Sequence, residues 1–153
     1  MPANKLSELL DQQKVKYVRI THSLAYTAQE VAESAHVAGR DFAKTLMVHI
    51  GGKPALVVLP ANRRLVLSEL RESLGTDDVK LAAEEELKAV FPDCEVGAMP
   101  PFGNLYGMEV YIAESLARER EIAFNAGSHT EVIKMAYPDF ERLVKPRVLN
   151  FIT

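Results

Sequence analysis

The sequence has little cysteine and no long apolar run, and each absence narrows the class of protein. Cys94 is the one cysteine among 153 residues, which excludes an intramolecular disulfide and a secreted disulfide-stapled scaffold. The longest apolar stretch, residues 55–59, is far too short to cross a membrane. The first eight residues contain no apolar core of signal-peptide length. We therefore expect a cytoplasmic protein with no membrane partner.

An excess of positive charge is also missing. Lys and Arg number 18 and Asp and Glu 21, for a formal net charge of −3. This balance argues against a protein that coats nucleic acid non-specifically, because neutralisation of phosphates supplies such affinity. It leaves open the recognition of one end of a nucleic acid through a small site. A hydrophobic fraction of 48% and the length together predict one globular domain over residues 1–153.

Hydrophobic periodicity and turn residues predict interleaved helices and strands. Thr27 and Glu30 form a capping-box pattern, Ser68 is the expected N-cap of another helix, and Gly51-Gly52 between two β-rich runs predicts a hairpin. The predicted helices are 5–14, 27–34, 68–74, 82–90 and 137–143, and the predicted strands are 17–20, 42–50, 55–59, 108–113, 122–124 and 131–135. Because the hairpin is antiparallel while helices and strands alternate, the predicted class is α+β (mixed α/β) with a mixed sheet.

The sequence carries no strong signal for a metal or for a nucleophile. Cys94 lies between Asp93 and Glu95, whose charges would raise the pKa of its thiol and favour a structural role. Ser128 and His129 are adjacent, which usually makes side chains project apart, and no Gly-x-Ser-x-Gly elbow is present. No cofactor or metal is expected, since none of the histidines is spaced for ligation with another or with the cysteine: His22, His36, His49 and His129.

Two loops and one lysine remain as candidates for chemistry. The Gly- and Pro-rich loop 97–107 presents backbone amides to a carbonyl oxygen, or is a rigid connection with Phe102 as an apolar plug. The polar loop 125–130 follows a strand and is either a site or an ordinary turn. Lys44 shares one strand face with Leu46 and Val48, so it either snorkels, the more frequent case, or holds a phosphate or carboxylate in a cleft.

These segments resemble the YbaK family, the aminoacyl-tRNA deacylases related to the editing domain inserted in bacterial prolyl-tRNA synthetases. The resemblance runs from His22 to the end of the chain. It is strongest in Ala-Lys-Thr-Leu-Met-Val at 43–48, Gly-Ala-Met-Pro-Pro-Phe-Gly at 97–103 and Ile-Ala-Phe-Asn-Ala-Gly at 122–127. It implies the fold of that family, a single domain with a largely antiparallel, curved sheet flanked by helices.

The resemblance implies hydrolysis, in trans, of the ester bond of a mischarged aminoacyl-tRNA. The implied partners are the 3′ acceptor end of the tRNA and an aminoacyl-tRNA synthetase. Members use no metal and no side-chain nucleophile, and attack by water, assisted by a ribose hydroxyl, is the mechanism proposed for several relatives. The alternative from another class is a non-catalytic module that binds a tRNA or a synthetase.

The resemblance also assigns roles to residues of this chain. The family lysine, matched by Lys44, holds the phosphate of the terminal adenosine, and the Gly-x-x-x-Pro loop, matched by Gly97 and Pro101, contacts the acyl end and the ribose. The polar loop shapes the amino-acid pocket, where His129 acts chemically or only by shape. The implied catalytic residues are Lys44, Gly97 and His129. The implied substrate-binding residues are His22, Tyr26, Thr45, Met99, Pro101, Phe102, Gly103, Asn125, Gly127 and Ser128.

The chain departs from the cysteine-specific members, which carry a Gly-Gly-x-x-Pro-Leu-Gly loop and a Ser-Gly-Gly-Lys stretch. Here these segments read Gly-Ala-Met-Pro-Pro-Phe-Gly at 97–103 and Asn-Ala-Gly-Ser at 125–128, which argues against cysteine as the acyl group. If Met99 and Phe102 face the pocket, they narrow it and favour a small acyl group such as alanine or serine. At a net charge of −3, tRNA contacts must come from local basic residues: Arg40, Lys44, Arg63, Arg64, Lys145 and Arg147.

Overall fold

The computed structural model describes residues 4–153, so residues 1–3 of the predicted domain lie outside the described part. Its helices are α1 (Asn4–Gln12), α2 (Ala28–Ser34), α3 (Leu67–Leu74), α4 (Glu84–Val90), α5 (Glu114–Ala117) and α6 (Tyr137–Val144). Its strands are β1 (Tyr17–Thr21), β2 (Phe42–Ile50), β3 (Lys53–Pro60), β4 (Val79–Leu81), β5 (Glu109–Ala113), β6 (Glu121–Asn125), β7 (Glu131–Ala136) and β8 (Arg147–Leu149).

The eight strands form one mixed sheet. Their order is β1-β7-β6-β2-β3-β5-β8, and β4 pairs with the far end of β2. The pairs β1·β7, β6·β7, β2·β3 and β2·β4 are antiparallel, whereas β2·β6, β3·β5 and β5·β8 are parallel. The predicted α+β class with a mixed sheet is therefore confirmed, and β2 is its central strand because it pairs with three others.

The predicted hairpin is formed by β2 and β3, with a tighter turn than the sequence suggested. Gly51 and Gly52 have φ angles of 58° and 82°, the left-handed conformations that a two-residue type I′ turn requires. Lys53 and Pro54 already belong to β3, so the connection is two residues rather than four. The resulting register places Lys44 opposite Leu59 and fixes its position on the sheet.

The helix ends follow the predicted signals at α2 but not at α3. Thr27 Oγ1 accepts a hydrogen bond from Glu30 N at 3.1 Å, and Glu30 Oε1 accepts one from Thr27 N at 3.2 Å, which completes the predicted capping box. Helix α3 follows Val66, so Ser68 lies inside the helix and is not its N-cap.

The elements β4, α5 and β8 are not predicted from the sequence, because three or four residues are too few to show a hydrophobic period.

Apolar side chains are buried on both faces of the sheet. The larger cluster includes Met47, Phe102 and Phe124, and the cluster on the other side includes Val48 and Leu70. The alternation along β2 sends neighbouring residues to opposite clusters, as predicted. A third, smaller cluster lies under α2. Among residues 4–153, no helix combines the length and the apolar character of a membrane span.

Candidate active site

A cavity of about 310 Å³ lies between β2 and the irregular segment that follows α4. One side, called here the strand wall, consists of residues 44–47 of β2. The opposite side, the loop wall, consists of Gly97 and Met99, and the ring of His129 lies next to Gly97. Leu81, Ala82 and Leu87, around the start of α4, line a further side of the cavity with apolar surface. The volume is at the small end of ligand pockets, which span about 300–1,000 Å³.

Lys44 is a half-buried cation on the strand wall. Burial lowers the pKa of its ammonium group, and the nearby positive charge of Arg64 lowers that pKa further. Within the part of the chain that the structure describes, Lys44 has no carboxylate partner in an ion pair. An anion in the cavity would offset both effects by stabilising the charged form. Of the two interpretations from the sequence, this placement favours the cleft over snorkelling.

Hydrogen bonds between two distant loops build the loop wall. Glu95 N donates to the carbonyl of Gly127 at 2.8 Å, and Gly127 N donates to the carbonyl of Ala98 at 2.9 Å. The Glu95 carboxylate accepts from the backbone N of His129 at 2.9 Å and lies 2.8 Å from Nδ1 of the same residue. Gly97 has a φ of 86°, which residues with a side chain rarely adopt. The two loops therefore form one unit whose shape depends on a glycine.

His129 is buried behind Gly97, and Tyr26 lies on its outer side. A Cβ added to Gly97 would lie 3.7 Å from His129 Nε2, so this ring nitrogen is close to the cavity wall. The rings of Tyr26 and His129 have centroids 5.1 Å apart, and Tyr26 is 67% exposed. The structure thus brings Lys44 and Gly97 to one cavity, and it places His129 next to Gly97 without its lining the cavity itself.

Residues 22–143 match the family model of the aminoacyl-tRNA editing domain. The chain belongs to the aminoacyl-tRNA editing domain family. This match covers most of the chain and confirms the resemblance that the sequence motifs indicated.

Relatives of known sequence and structure agree with this membership. The multifunctional Ser/Thr-tRNA deacylase ProXp-y of Escherichia coli (strain K12) is 29% identical over 153 residues, covering 96% of this chain and 90% of that protein. The prolyl-tRNA editing protein ProX of Acetoanaerobium sticklandii is 27% identical over 143 residues, covering 89% and 86%. A solved structure of a candidate trans-editing enzyme for prolyl-tRNA synthetase has a TM-score of 0.83 at 19% identity, covering 99% of this chain and 96% of that one. That structural likeness shows the fold.

Of the two positions that the sequence allows for Phe102, the structure shows the apolar plug and not the pocket wall. Its side chain is fully buried, and its ring packs against Phe124 and Phe140 with centroid distances of 5.5 and 5.3 Å. Met99 lines the cavity, but Phe102 lies in the core behind it. The expectation that Phe102 narrows the pocket is therefore corrected, because its ring is enclosed by aromatic neighbours rather than by the cavity.

The other predicted contacts divide between the cavity and its support. Thr45 is a buried hydroxyl residue on the strand wall. Gly103 has a packing role, since a Cβ there would lie 2.5 Å from the carbonyl oxygen of Met108. Pro101 is buried beside it and does not line the cavity. Gly127 makes the two backbone hydrogen bonds between the loops, and it does so in a left-handed conformation with a φ of 97°.

Three further predicted residues lie around the polar loop. His22 Nδ1 donates to the carbonyl of Ser23 at 2.7 Å, and its Nε2 is buried without a hydrogen-bond partner among residues 4–153. Asn125 is buried, and its Oδ1 likewise has no partner in the described chain. Ser128 Oγ lies 3.3 Å from the hydroxyl of Thr130. None of these three side chains lines the cavity.

Neither candidate nucleophile is activated. Burial raises the pKa of the Cys94 thiol to about 11; the hydrogen bond with Tyr106 lowers this pKa by less than burial raises it, and the charge of Asp93 adds a smaller increase. Glu95, the other flanking carboxylate, turns away from the thiol towards His129. Because the His129 ring bonds to Glu95, and Ser128 to Thr130, the two adjacent residues do not form a nucleophile–base pair. No cluster of three or more potential metal ligands occurs in residues 4–153.

Two features of the site escape the sequence analysis. Glu95 is 34 residues from His129 and belongs to no motif, so its hydrogen bonds with His129 give no sequence signal. The apolar side of the cavity near α4 includes Leu87, whose helical spacing indicates only an ordinary buried position. Both follow from the tertiary packing of the segment after α4.

Proposed function

We propose that this protein hydrolyses, in trans, the ester bond of mischarged aminoacyl-tRNA. The observation that carries the proposal is a cavity lined by Lys44 and Gly97, with His129 next to Gly97, in a member of the aminoacyl-tRNA editing domain family. The names of its relatives, a Ser/Thr-tRNA deacylase and a prolyl-tRNA editing protein, support it. A 77-residue stretch that is 36% identical to part of the proline–tRNA ligase of Halalkalibacterium halodurans, covering 50% of this chain and 13% of the ligase, agrees with it. The cytoplasm as location and a synthetase as further partner belong to the same proposal.

Lys44 binds the phosphate of the terminal nucleotide in this proposal. Its ammonium is half-buried, lacks a carboxylate partner in the described chain and lies near the positive charge of Arg64. A phosphate between the two cations would replace the water that burial removes and would relieve their repulsion. A tRNA end therefore has a reason to bind here although the whole chain is acidic.

Hydrolysis at this site needs no protein nucleophile. A water molecule attacks the acyl carbon, the bond from that carbon to the ribose oxygen breaks, and the ribose oxygen takes up the proton that the water loses. The products are the free amino acid and uncharged tRNA. Because an aminoacyl ester is already activated, positioning and polarisation of its carbonyl provide the required acceleration. Gly97 has no side chain, so the ester can approach the backbone of the loop wall closely.

The lining of the cavity fits a small acyl group. Leu46, Met47 and Met99 limit its width, and Thr45 is the one hydroxyl-bearing residue among those that line it. An alanyl or seryl group fits within about 310 Å³ beside part of the ribose. Thr45 offers a hydrogen bond to a seryl hydroxyl, whereas an alanyl group would leave it without that partner. Alanine and serine are thus the acyl groups that we propose.

Deacylation of a panel of mischarged tRNAs tests this function directly. We expect the wild-type protein to release alanine or serine over many turnovers from a mischarged tRNA. The Lys44→Ala variant should lower kcat/KM about 10- to 100-fold, since a hydrogen bond to a charged group contributes about 1.5–3 kcal/mol. Lys53→Ala is the matched control, because Lys53 is an exposed lysine at the other end of the same hairpin. It should retain activity.

Two results would reject the proposal or part of it. If charged tRNA binds but no tested ester is hydrolysed, the protein is a non-catalytic binding module. If Lys44→Ala folds normally and keeps full activity, Lys44 does not hold the substrate phosphate. Far-ultraviolet circular dichroism of each variant shows whether the fold is intact.

A further inference from the structure

The His129 ring is oriented by a single carboxylate. Glu95 Oε1 lies 2.8 Å from Nδ1 of the ring and accepts the backbone N–H of the same residue at 2.9 Å. The His129 side chain is 8% exposed and that of Glu95 is 51% exposed. One carboxylate oxygen therefore fixes both the backbone and the ring of a buried histidine, while the rest of the Glu95 side chain contacts solvent.

This contact determines which ring nitrogen carries the proton. An ionised carboxylate only accepts hydrogen bonds, so Nδ1 must be the protonated nitrogen when it faces Glu95. The backbone N–H of His129 keeps the pKa of Glu95 below its ordinary value, with a further contribution from the ring, so the carboxylate is ionised near neutral pH. In a neutral imidazole, Nε2 is then the acceptor. Nε2 is the nitrogen next to Gly97, a residue that lines the cavity.

We propose that Glu95 is a positioning residue that holds His129 as the Nδ1–H tautomer, so that Nε2 accepts a hydrogen bond from an O–H group of the reacting site. That group is the ribose hydroxyl next to the ester or the attacking water, which share the same chemistry. The inference rests on the proposed function, because it assigns a purpose to Nε2 at the cavity wall. In this arrangement His129 contributes chemically and not only by its shape.

A purely structural role for Glu95 explains the contacts less well. The two loops are already joined by backbone hydrogen bonds between Glu95 N and Gly127 and between Gly127 N and Ala98. The carboxylate is not needed to close that connection, and it lies half in solvent. What it adds is the second contact, to Nδ1, which orients the ring relative to Gly97.

The test compares Glu95→Ala with Glu95→Gln. The glutamine amide oxygen accepts hydrogen bonds in the same way as the carboxylate, so Glu95→Gln should keep the tautomer and most of the activity. Glu95→Ala leaves Nδ1 without its acceptor. We expect its kcat on the mischarged tRNA to fall about tenfold with KM little changed, the effect of one lost hydrogen bond.

The direct readout is ¹⁵N NMR of protein labelled at histidine, which reports the protonated ring nitrogen without any substrate. Wild-type protein and Glu95→Gln should show the neutral Nδ1–H form of His129 at pH 7, and Glu95→Ala should move towards Nε2–H. The matched control is Glu86→Ala, which removes the carboxylate that contacts Nε2 of His49. It should alter the resonances of His49 and leave those of His129 unchanged.

The outcomes separate this inference from the proposed function. Wild-type His129 found as Nε2–H or as imidazolium at pH 7 overturns the inference, whatever the activity. An unchanged kcat in Glu95→Ala, or a lowered kcat with an unchanged tautomer, overturns it as well. If the wild-type protein hydrolyses no ester, the proposed function fails, and the NMR spectra still show whether Glu95 sets the tautomer. If Glu95→Ala does not fold, Glu95→Gln and the wild-type spectra carry the test.

Discussion

The two walls of the cavity are built in different ways. The strand wall belongs to β2, whose backbone is paired with β3 along the hairpin, and Lys44 faces Leu59 in that register. The loop wall has no strand ladder, and it is held by hydrogen bonds between residues 95–98 and 127–129. It is also held by Phe102, three residues after Met99, whose ring packs in the aromatic core and so anchors the end of the loop.

This difference determines how each wall responds to substitution. A strand takes its geometry from backbone hydrogen bonds that do not depend on individual side chains, so Lys44 can be replaced without moving the strand wall. The loop wall depends on the φ of Gly97 and on the side chains of Glu95 and Phe102. Replacement of Lys44 in the strand wall should therefore affect chemistry alone, and changes in the loop wall should affect stability and chemistry together.

The largest effect is expected from Phe102→Ala, which removes the anchor of the loop wall. Loss of a fully buried aromatic side chain costs about 3–5 kcal/mol in the free energy of unfolding. Urea denaturation measures this loss. Tyr26→Ala is the control, because Tyr26 is an exposed aromatic residue on the other side of His129 and should cost far less stability. A variant at Phe102 that stays stable and instead accepts larger acyl groups would show that Phe102 faces the pocket after all.

The same contrast explains how much of the molecule is predictable from its sequence. The hairpin, the capping box at Thr27 and the alternation that puts Leu46 and Val48 on one face of β2 are local patterns, and the structure contains each of them. The α+β class with a mixed sheet follows from those patterns. The strand that carries the strand wall is therefore predictable, whereas alternation alone does not show that Leu46 and Met47 line the same cavity as Lys44 and Thr45.

The loop wall is predictable only in part. The glycines and prolines of 97–107 indicate an irregular segment, and the family resemblance indicates that Gly97 and His129 belong to the site. Which side chains turn inwards is decided by long-range packing, which places Phe102 in the core and Met99 on the cavity. Glu95 illustrates the same point, because its local sequence suggests an effect on Cys94 while the fold directs it to His129. Spacing along the chain contains no information on such a contact.

An intermediate effect is expected from Gly97→Ala in the loop wall. At a φ of 86° a side chain strains the backbone, at a cost of roughly 1–2 kcal/mol. Its Cβ would lie in ordinary contact with His129 Nε2, at 3.7 Å, and would occupy the space beside that nitrogen. We therefore expect kcat/KM to fall about tenfold, a change of about 1.4 kcal/mol in the activation barrier.

The matched control for Gly97→Ala is Gly75→Ala. Gly75 has a φ of 69° at the end of α3, and a Cβ there would contact nothing within 4 Å. The Gly75→Ala variant should lose a similar amount of stability in urea denaturation and keep its deacylation rate. Equal loss of activity in both variants would mean that the loop wall has no special dependence on Gly97.

The smallest effect is expected from Arg64→Ala, which tests whether the strand wall extends its phosphate site to a second cation. Arg64 is exposed and close enough to Lys44 to lower the pKa of that lysine. Arg63, its neighbour, instead donates a hydrogen bond to the carbonyl of Thr153. If Arg64 contacts one phosphate of the single-stranded acceptor end, its loss should reduce the slope of log affinity against log salt by about 0.7.

Filter binding or fluorescence anisotropy at several salt concentrations measures this slope, which should already be shallow in the wild-type protein because few phosphates are bound. Arg118→Ala removes the same charge from an exposed residue that pairs with Glu114, and it should leave the slope unchanged. Equal slopes for Arg64→Ala and Arg118→Ala would limit the phosphate site to Lys44, and a steep wild-type slope would reveal a basic surface beyond the two walls.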